Sequence, residues 1–369
     1  MCGIVGYVGT SQSRTRILQG LERLEYRGYD SAGIACLDPD RRTISCVKSA
    51  GGLEKLLARL EKNPLDGPVG IGHTRWSTHG ASTDQNAHPH LDCQQAIALV
   101  HNGIIENHQE LRSELEKQGH TFLSESDTET VAHLFEQVFS QKSEKKDLAA
   151  GVQAVVGQLE GAYAFAVLLT SFPDTLIAIR KKSPLCIGVS PEGAYIASDE
   201  LAVAGKVKEL FFMPDESFAL VSTSSVQFFD FAGHPLTLPA VPATVQWLAG
   251  DKQGHAHYML KELYEQKKVI TKTVHALQEL ATTGLSTLNL SPEFLKSLKR
   301  VVFVGCGTSY NAGRIAQFFF EQITNIQAES FLASEYRFMR IFPEEGTLHI
   351  AVSQSGETAD TLELILKCC

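Results

Sequence analysis

Nowhere does this sequence contain an apolar run approaching the roughly 18 residues of a bilayer-spanning helix, and its amino terminus lacks the basic region and long apolar core of a secretory signal. Both absences lead us to expect a cytoplasmic chain. Positive charge is also scarce: 33 Lys and Arg stand against 42 Asp and Glu, a net charge of −9. Nucleic acid and anionic membrane surfaces would repel such a chain, so neither is expected as a partner. The eight cysteines, at positions 2, 36, 46, 93, 186, 306, 368 and 369, form no Cys-x-x-Cys pair and no zinc spacing, and they read as reduced thiols. His88-Pro89-His90 and His255-Ala256-His257 have no cysteine or carboxylate at ligand spacing beside them. No metal and no cofactor are therefore expected.

What is present is a chain of 369 residues, 43 % hydrophobic and 20 % charged, enough for two folded domains. Up to about residue 230 the pattern is α+β with strands in excess. Helices are expected over Arg14–Leu24, Leu53–Leu60 and from Asn107 or His108 to Gln118, where Gly119 is the stop. Ser126-x-x-Glu129 has the form of a capping box ahead of an amphipathic helix carrying Val131, Leu134, Phe135, Val138 and Phe139 on one face. Short apolar runs at Ile34–Leu37, Ala96–Val100, Ala164–Leu169, Leu176–Arg180, Cys186–Val189, Ala194–Ala197, Phe218–Val221 and Val226–Phe229 read as strands. Periodicity lapses around Pro235, Pro239, Pro242 and Gly250, and the boundaries follow: a first domain over 2–240, a linker over 241–254 and a second half over 255–369. After a long helix at Tyr258–Leu280, a parallel α/β pattern begins at about residue 290: strand Val301–Val304, helix Tyr310–Gln322, strand Ile326–Phe331, helix Glu335–Arg340 and strand Leu348–Val352.

The stretch with most chemical content is Met1-Cys2-Gly3-Ile4-Val5-Gly6. Removal of Met1, which a small second residue permits, would leave one residue with a thiol and a free α-amine. The unperturbed amine titrates at roughly 7.7–8.0, so part of it is a base at neutral pH and can activate the thiol as nucleophile. Asn102-Gly103 can supply two oxyanion donors, the Asn side-chain amide and the Gly backbone N–H. For an amino-acid substrate, Arg75 is suited to fork a carboxylate and Asp127 to accept an ammonium. Trp76, Thr78 and His79 lie in a polar, Gly-flanked loop that could close over such a site.

Two further loops, Gly305-Cys306-Gly307-Thr308-Ser309 and Ser353-Gln354-Ser355-Gly356-Glu357-Thr358, each follow a buried strand and precede a helix. In a parallel sheet both lie at one edge, where hydroxyls and free N–H groups suit a phosphate. The third glycine of a dinucleotide fingerprint is replaced by Tyr310, and no Gly-Lys-Ser/Thr follows. A sugar phosphate remains.

Taken together, Cys2-Gly3-Ile4-Val5-Gly6, Tyr26 to Gly33, His73 to Gly80, His101 to Asn107 and Ser126 to Glu129 resemble the class II glutamine amidotransferase family, and within it the branch that aminates fructose 6-phosphate. The resemblance runs over essentially the whole chain. It implies a four-layer αββα sandwich of the N-terminal nucleophile hydrolase type, followed by an incomplete parallel-sheet sugar isomerase (SIS) domain. By it, Cys2 is the nucleophile, Asn102 and Gly103 form the oxyanion hole, and Arg75 and Asp127 hold glutamine, with Thr78 and His79 nearby. Trp76 would gate an ammonia channel and Arg27 would lie beside the site. Thr308, Ser309, Ser353, Gln354, Ser355 and Thr358 would bind fructose 6-phosphate. Glucosamine 6-phosphate and glutamate are the implied products, and a homodimer through the isomerase half is the implied assembly. The resemblance also implies a second SIS domain and isomerase residues that these 369 residues do not contain, which leaves open a natural glutaminase with half a sugar site or a piece of a longer synthase. The rivals are another class II amidotransferase, or a sugar-phosphate sensor in which Cys2 is idle.

Overall fold

The structure is a computed structural model that describes all residues except 1, 26–27, 29, 39, 77–81, 141–147, 244–253, 256, 284–289, 342–343, 355, 357 and 369. The chain divides into two compact units, Met1–Asp251 and Lys252–Cys369.

In the first unit every residue of the strand Gly3–Gly9 is buried, because the strand is covered on both faces. Ile4 and Val8 point into one apolar cluster and Val5 and Tyr7 into another, as the twofold alternation of a strand requires. On either side it pairs antiparallel with Val69–Arg75 and Gly193–Ala197. Ser31–Asp38 and Thr43–Ala50 extend that sheet on one side, and Cys186–Ser190, Glu209–Phe212 and Val241–Pro242 on the other, eight strands among the described residues. A second sheet of seven runs from His90–Leu91 through Ile97–Ile105, Gly161–Leu169 and Thr175–Lys181 to Ser217–Ser222, Val226–Asp230 and Pro235–Leu236.

The two sheets face each other across a core in which Ile4, Val8 and Ile71 meet Val100, Ala166 and Ala178. The outer face of the first sheet is closed by helices Ser13–Leu24 and Leu53–Lys62, through Ile17, Leu21, Leu24, Leu56 and Leu60. The outer face of the second is closed by His108–Lys117, Asp127–Ser140 and Leu148–Val156, through Leu111, Leu115, Val131, Phe135 and Val152. Helix, sheet, sheet, helix is the four-layer αββα arrangement.

Several short or edge elements among the described residues escape a reading by periodicity. Thr43–Ala50 is an edge strand with a mixed burial pattern, Glu209–Phe212 has only four residues, and Leu148–Val156 is a short, almost wholly apolar helix. Val241 and Pro242 pair with Leu210 and Glu209, and Ala243 N–H donates to Lys208 O, so the start of the stretch expected to be linker joins a sheet edge. An edge is where a strand tolerates proline.

The second unit holds a parallel sheet with Arg300–Gly305 between Gln327–Leu332 and Thr347–Val352. Val302 and Val304 pack on one face with Ala333, Tyr336 and Leu364, and Val301 and Phe303 on the other with Ala328. Helix Thr308–Thr324 follows the central strand and Ala359–Cys368 follows Thr347–Val352. The helix expected at Glu335–Arg340 is instead Ala333–Tyr336. Past it, Phe338 and Met339 bond three residues back, to Glu335 and Tyr336, and the tightened turn ends the helix.

Phe135 is fully buried on the helix that begins at Asp127. Phe135→Ala is expected to lower the unfolding free energy of the first unit by about 3–5 kcal/mol, read by urea denaturation. A loss below about 1 kcal/mol would contradict this packing.

Candidate active site

Cys2 stands immediately before the central strand of the first sheet. The start of that strand is fastened beyond its own ladder: Ile4 N–H donates to Ser198 Oγ at 2.9 Å, and Ser198 N–H to Ile4 O at 3.1 Å. Because Gly3 pairs with Thr74, Cys2 arrives beside the end of Val69–Arg75. Trp76 N–H donates to Cys2 Sγ at 3.3 Å, and Sγ lies 3.6 Å from Trp76 O. Gly28 backs that peptide so closely that a Cβ there would sit 2.9 Å from Arg75 C and 3.0 Å from Trp76 N. This explains one glycine of the Tyr26 to Gly33 segment.

Burial pushes the Cys2 thiol above its ordinary value, against the pull of the Trp76 N–H and the Arg75 charge. The resting sulfur at neutral pH is therefore protonated. A nucleophile in that state needs a base within reach.

Asn102 comes from the other sheet. Its Nδ2 donates to Cys2 O at 3.1 Å and its Oδ1 lies 3.0 Å from His73 Nε2. Burial drives His73 down to about 3, so its ring is neutral. With Nδ2 turned toward Cys2, Oδ1 must accept, and His73 carries its proton on Nε2. His73 thus positions the amide. Gly103 has φ +133°, and a Cβ would lie 2.0 Å from Ala162 O, so only glycine fits next to Asn102.

Asp127 is 7 % exposed, at the start of its helix. Its Oδ2 accepts from Ile105 N–H at 2.9 Å, which ties the carboxylate to the strand that carries Asn102 and Gly103. Arg75 is buried; burial draws its guanidinium down, while Cys2, Asp127 and Asp30 oppose that shift. Cys2, Arg75, Asn102, Gly103 and Asp127 are thus gathered at one place in the first unit. Trp76 is 44 % exposed. Arg27, Thr78 and His79 lie outside the described residues.

The expected capping box does not close. Glu129 turns away from the helix start and accepts from Leu123 N–H, Ser124 N–H and Ser124 Oγ, and Ser126 Oγ takes Thr128 N–H at 3.3 Å. The preceding turn offers the carboxylate three donors where the box offers one.

Two site residues are not signalled by motif logic. His73 sits mid-strand and becomes meaningful only once Asn102 lies against it. Asp30 acts on both Cys2 and Arg75, and its N–H donates to Arg75 O at 3.0 Å.

In the second unit Gly305 and Val352 are paired neighbours in the parallel sheet, so the two expected phosphate loops leave from the same edge. Gly307, with φ +56°, precedes Thr308 and Ser309 at the start of their helix. Gly356 N–H donates to Ser353 Oγ at 3.0 Å, and Ser353 Oγ is 3.5 Å from Thr358 Oγ1. Gln354 is exposed beside them, and Ser355 lies outside the described residues.

Behind Asn102 lies a cluster of buried imidazoles: the His73 and His88 rings are 4.3 Å apart, and His88 and His90 are 4.8 Å apart. His101 Nδ1 meets Thr128 Oγ1 at 2.9 Å, and His88 Nε2 meets the same hydroxyl at 3.2 Å. Burial lowers all four of these histidines. The unfolded chain takes up protons near the ordinary value of about 6.5 that the folded chain refuses, so stability is full above that pH and falls as pH drops below it, by up to about 1.4 kcal/mol per pH unit for each residue. His133 runs the other way: burial lowers it, but the carboxylates of Glu129 and Glu136 beside it carry it above its ordinary value, so its contribution is lost as pH rises. Urea unfolding should show stability falling steadily between about pH 6.5 and 4.5. A flat profile over that range would contradict four neutral buried imidazoles.

With this geometry in view, the chain can be set beside known proteins. The glutamine amidotransferase domain family matches residues 73–204, and the SIS domain family matches residues 294–368. Glutamine–fructose-6-phosphate aminotransferases (isomerizing) of Idiomarina loihiensis, Thermosynechococcus vestitus and Symbiobacterium thermophilum are 40 %, 42 % and 43 % identical over 363, 369 and 367 residues. Each comparison covers 98 % of this chain and 59 %, 58 % and 59 % of the relative, so the chain spans about three-fifths of the length of these relatives. Among solved structures, glutamine phosphoribosylpyrophosphate amidotransferase from B. subtilis has a TM-score of 0.56 at 21 % identity, covering 89 % of this chain and 65 % of that one. The allosteric regulatory enzyme of purine biosynthesis has a TM-score of 0.57 at 22 % identity, with the same coverage. These two speak for the fold alone. Residues 73–204 thus match the glutamine amidotransferase domain family and residues 294–368 the SIS domain family, and nearly the whole chain aligns with glutamine–fructose-6-phosphate aminotransferases.

Proposed function

We propose that the first unit hydrolyses glutamine at Cys2 and that the ammonia released is destined for fructose 6-phosphate, giving glucosamine 6-phosphate and glutamate. The observation that carries this reading is the meeting of Cys2 and Asn102, from two different sheets, at 3.1 Å. With Met1 removed, the Cys2 α-amine takes the thiol proton, and sulfur attacks the side-chain carbonyl carbon of glutamine. Charge develops on the carbonyl oxygen, where Asn102 Nδ2 and the Gly103 N–H are the donors. The ammonium formed at the chain start returns its proton to the departing nitrogen, so ammonia leaves and a thioester remains. Water then cleaves the thioester, releasing glutamate and the thiol.

Arg75 is assigned to the α-carboxylate of glutamine and Asp127 to its α-ammonium; Arg27, Thr78 and His79 are assigned to the same pocket and Trp76 to the ammonia exit. Opposite charges at fixed positions select an amino acid over a simple amide. Thr308, Ser309, Ser353, Gln354, Ser355 and Thr358 are assigned to the sugar phosphate, with support from their common sheet edge and the positive-φ glycines beside them. The same reading makes the protein a cytoplasmic enzyme that pairs through its isomerase half, with the first domain over 2–240, the linker over 241–254 and the isomerase half from 255. Among the described residues no helix is long and apolar enough to cross a membrane.

Cys2→Ala is expected to abolish glutamate release from glutamine. Asn102→Ala should lower kcat by about 10²–10³ with little change in KM, whereas Asp127→Ala should act mainly on KM. Unchanged glutamate release by Cys2→Ala would overturn the assignment. The acceptor is tested separately with amide-¹⁵N glutamine and fructose 6-phosphate: label should enter the hexose phosphate, and label found only as free ammonium would remove fructose 6-phosphate from the proposal.

A further inference from the structure

Away from Cys2, the first unit gathers a second set of reactive side chains that the proposed chemistry does not use. Cys93 follows the short strand His90–Leu91, His120 follows helix His108–Lys117, and His133 and Glu136 lie one turn apart on helix Asp127–Ser140. Cys93 Sγ is 3.6 Å from His133 Nδ1 and 3.9 Å from His120 Nδ1. Glu136 Oε2 is 2.8 Å from His120 Nδ1 and 3.1 Å from His133 Nδ1, and it also accepts the Cys93 N–H at 3.3 Å. One ligand atom from each residue falls within 4.8 Å of the other three.

We propose that Cys93, His120, His133 and Glu136 form a structural zinc site. One thiolate, two imidazole nitrogens and one carboxylate oxygen make a four-coordinate set of the kind zinc takes. Bond lengths of about 2.3 Å to sulfur and 2.0–2.2 Å to nitrogen and oxygen put the edges of such a tetrahedron at roughly 3.3–3.7 Å. The two sulfur–imidazole separations are already close to that, and the shorter imidazole–carboxylate contacts are hydrogen bonds that the cation would replace. All four positions are filled by protein, which makes the site structural, with none left open for a reacting water.

The surroundings support a site held for an ion. The His133 side chain is 1 % exposed, and its other nitrogen lies 3.9 Å from Glu129 Oε1. Glu129 is itself held by Leu123 N–H, Ser124 N–H and Ser124 Oγ, so a second, fixed carboxylate stands beside the ligand imidazole and favours a cation there. Thr121 N–H donates to Cys93 Sγ at 3.4 Å, a bond that favours a thiolate. Cys93 is exposed and His120 partly so, which provides the entry path. Binding would release the thiol proton to solvent and join two separate segments, those of Cys93 and His120, to the helix that begins at Asp127. No spacing rule finds this set, because its members are drawn from positions 93, 120, 133 and 136 and only the last two are local.

The full chain, stripped with a chelator under reducing conditions and then exposed to zinc, should retain one zinc per chain through gel filtration and unfold at a higher temperature than the stripped form. Cobalt in place of zinc should give a thiolate-to-metal charge-transfer band and the intense visible bands of a tetrahedral ion. Cys93→Ser and His120→Asn, both outside the glutamine site, should bind zinc more than roughly 100-fold more weakly and lose the thermal shift, and Cys93→Ser should lose the charge-transfer band. Failure of the wild-type chain to retain zinc would overturn the proposal. So would a charge-transfer band that survives Cys93→Ser, since another thiol would then be the ligand.

Discussion

The pairing of Gly3–Gly9 between Val69–Arg75 and Gly193–Ala197 is the constraint on which the rest of the first unit depends. Chain ends usually fray, because the residues there have few contacts to repay their ordering. Here the second residue is followed at once by a strand buried on both faces, with Ile4 bonded to Ser198 on top of its ladder. Cys2 inherits that order. Its sulfur is then held against the Trp76 peptide, which Gly28 supports from behind. A thiol held at the rim of a packed sheet is raised in pKa by desolvation, so the same burial that orders it keeps it protonated. That coupling is why a base on the same residue is chemically useful.

The second sheet delivers the complementary half. Ile97–Ile105 carries Asn102 and Gly103, and Asp127 takes the N–H of Ile105 in the same strand. The residues assigned as oxyanion donors and the one assigned to the substrate amine are therefore mechanically one piece. Neutral histidines lie behind it: His73 fixes the Asn102 amide, and His88 and His101 share the Thr128 hydroxyl next to Asp127. Charged imidazoles at those distances would repel one another and Arg75, so exclusion of protons is part of what keeps the site in shape.

Much of this was legible in the residues. A cysteine at position 2, an Asn-Gly pair after a buried strand, and Arg75 and Asp127 beside polar loops are all local patterns, and strong apolar alternation marks the central strands and the helix through Val131 and Phe135. What periodicity could not supply is which strands face which: the αββα layering came from resemblance, and in the structure it follows from Ile4 and Val8 pointing one way and Val5 and Tyr7 the other. Edge strands such as Thr43–Ala50 were illegible because one neighbour and partial exposure leave a mixed pattern. Glu129 defeated the capping-box reading because a turn outside its own helix offered three donors. His73, Asp30 and the Cys93–His120–His133–Glu136 set share another difficulty, that their meaning lies in contacts between distant positions.

The central claim is that sulfur and an unblocked amine act together on residue 2. Its most direct measurement is intact-mass analysis of the active protein before and after reaction with a diazoketone analogue of glutamine, with the adduct mapped by fragmentation. The account predicts that every chain that reacts lacks Met1, carries no acetyl group and bears the adduct on Cys2, with glutamate release falling in step with labelling. Chains that still begin with Met1, or are acetylated, and yet release glutamate at the full rate would contradict it.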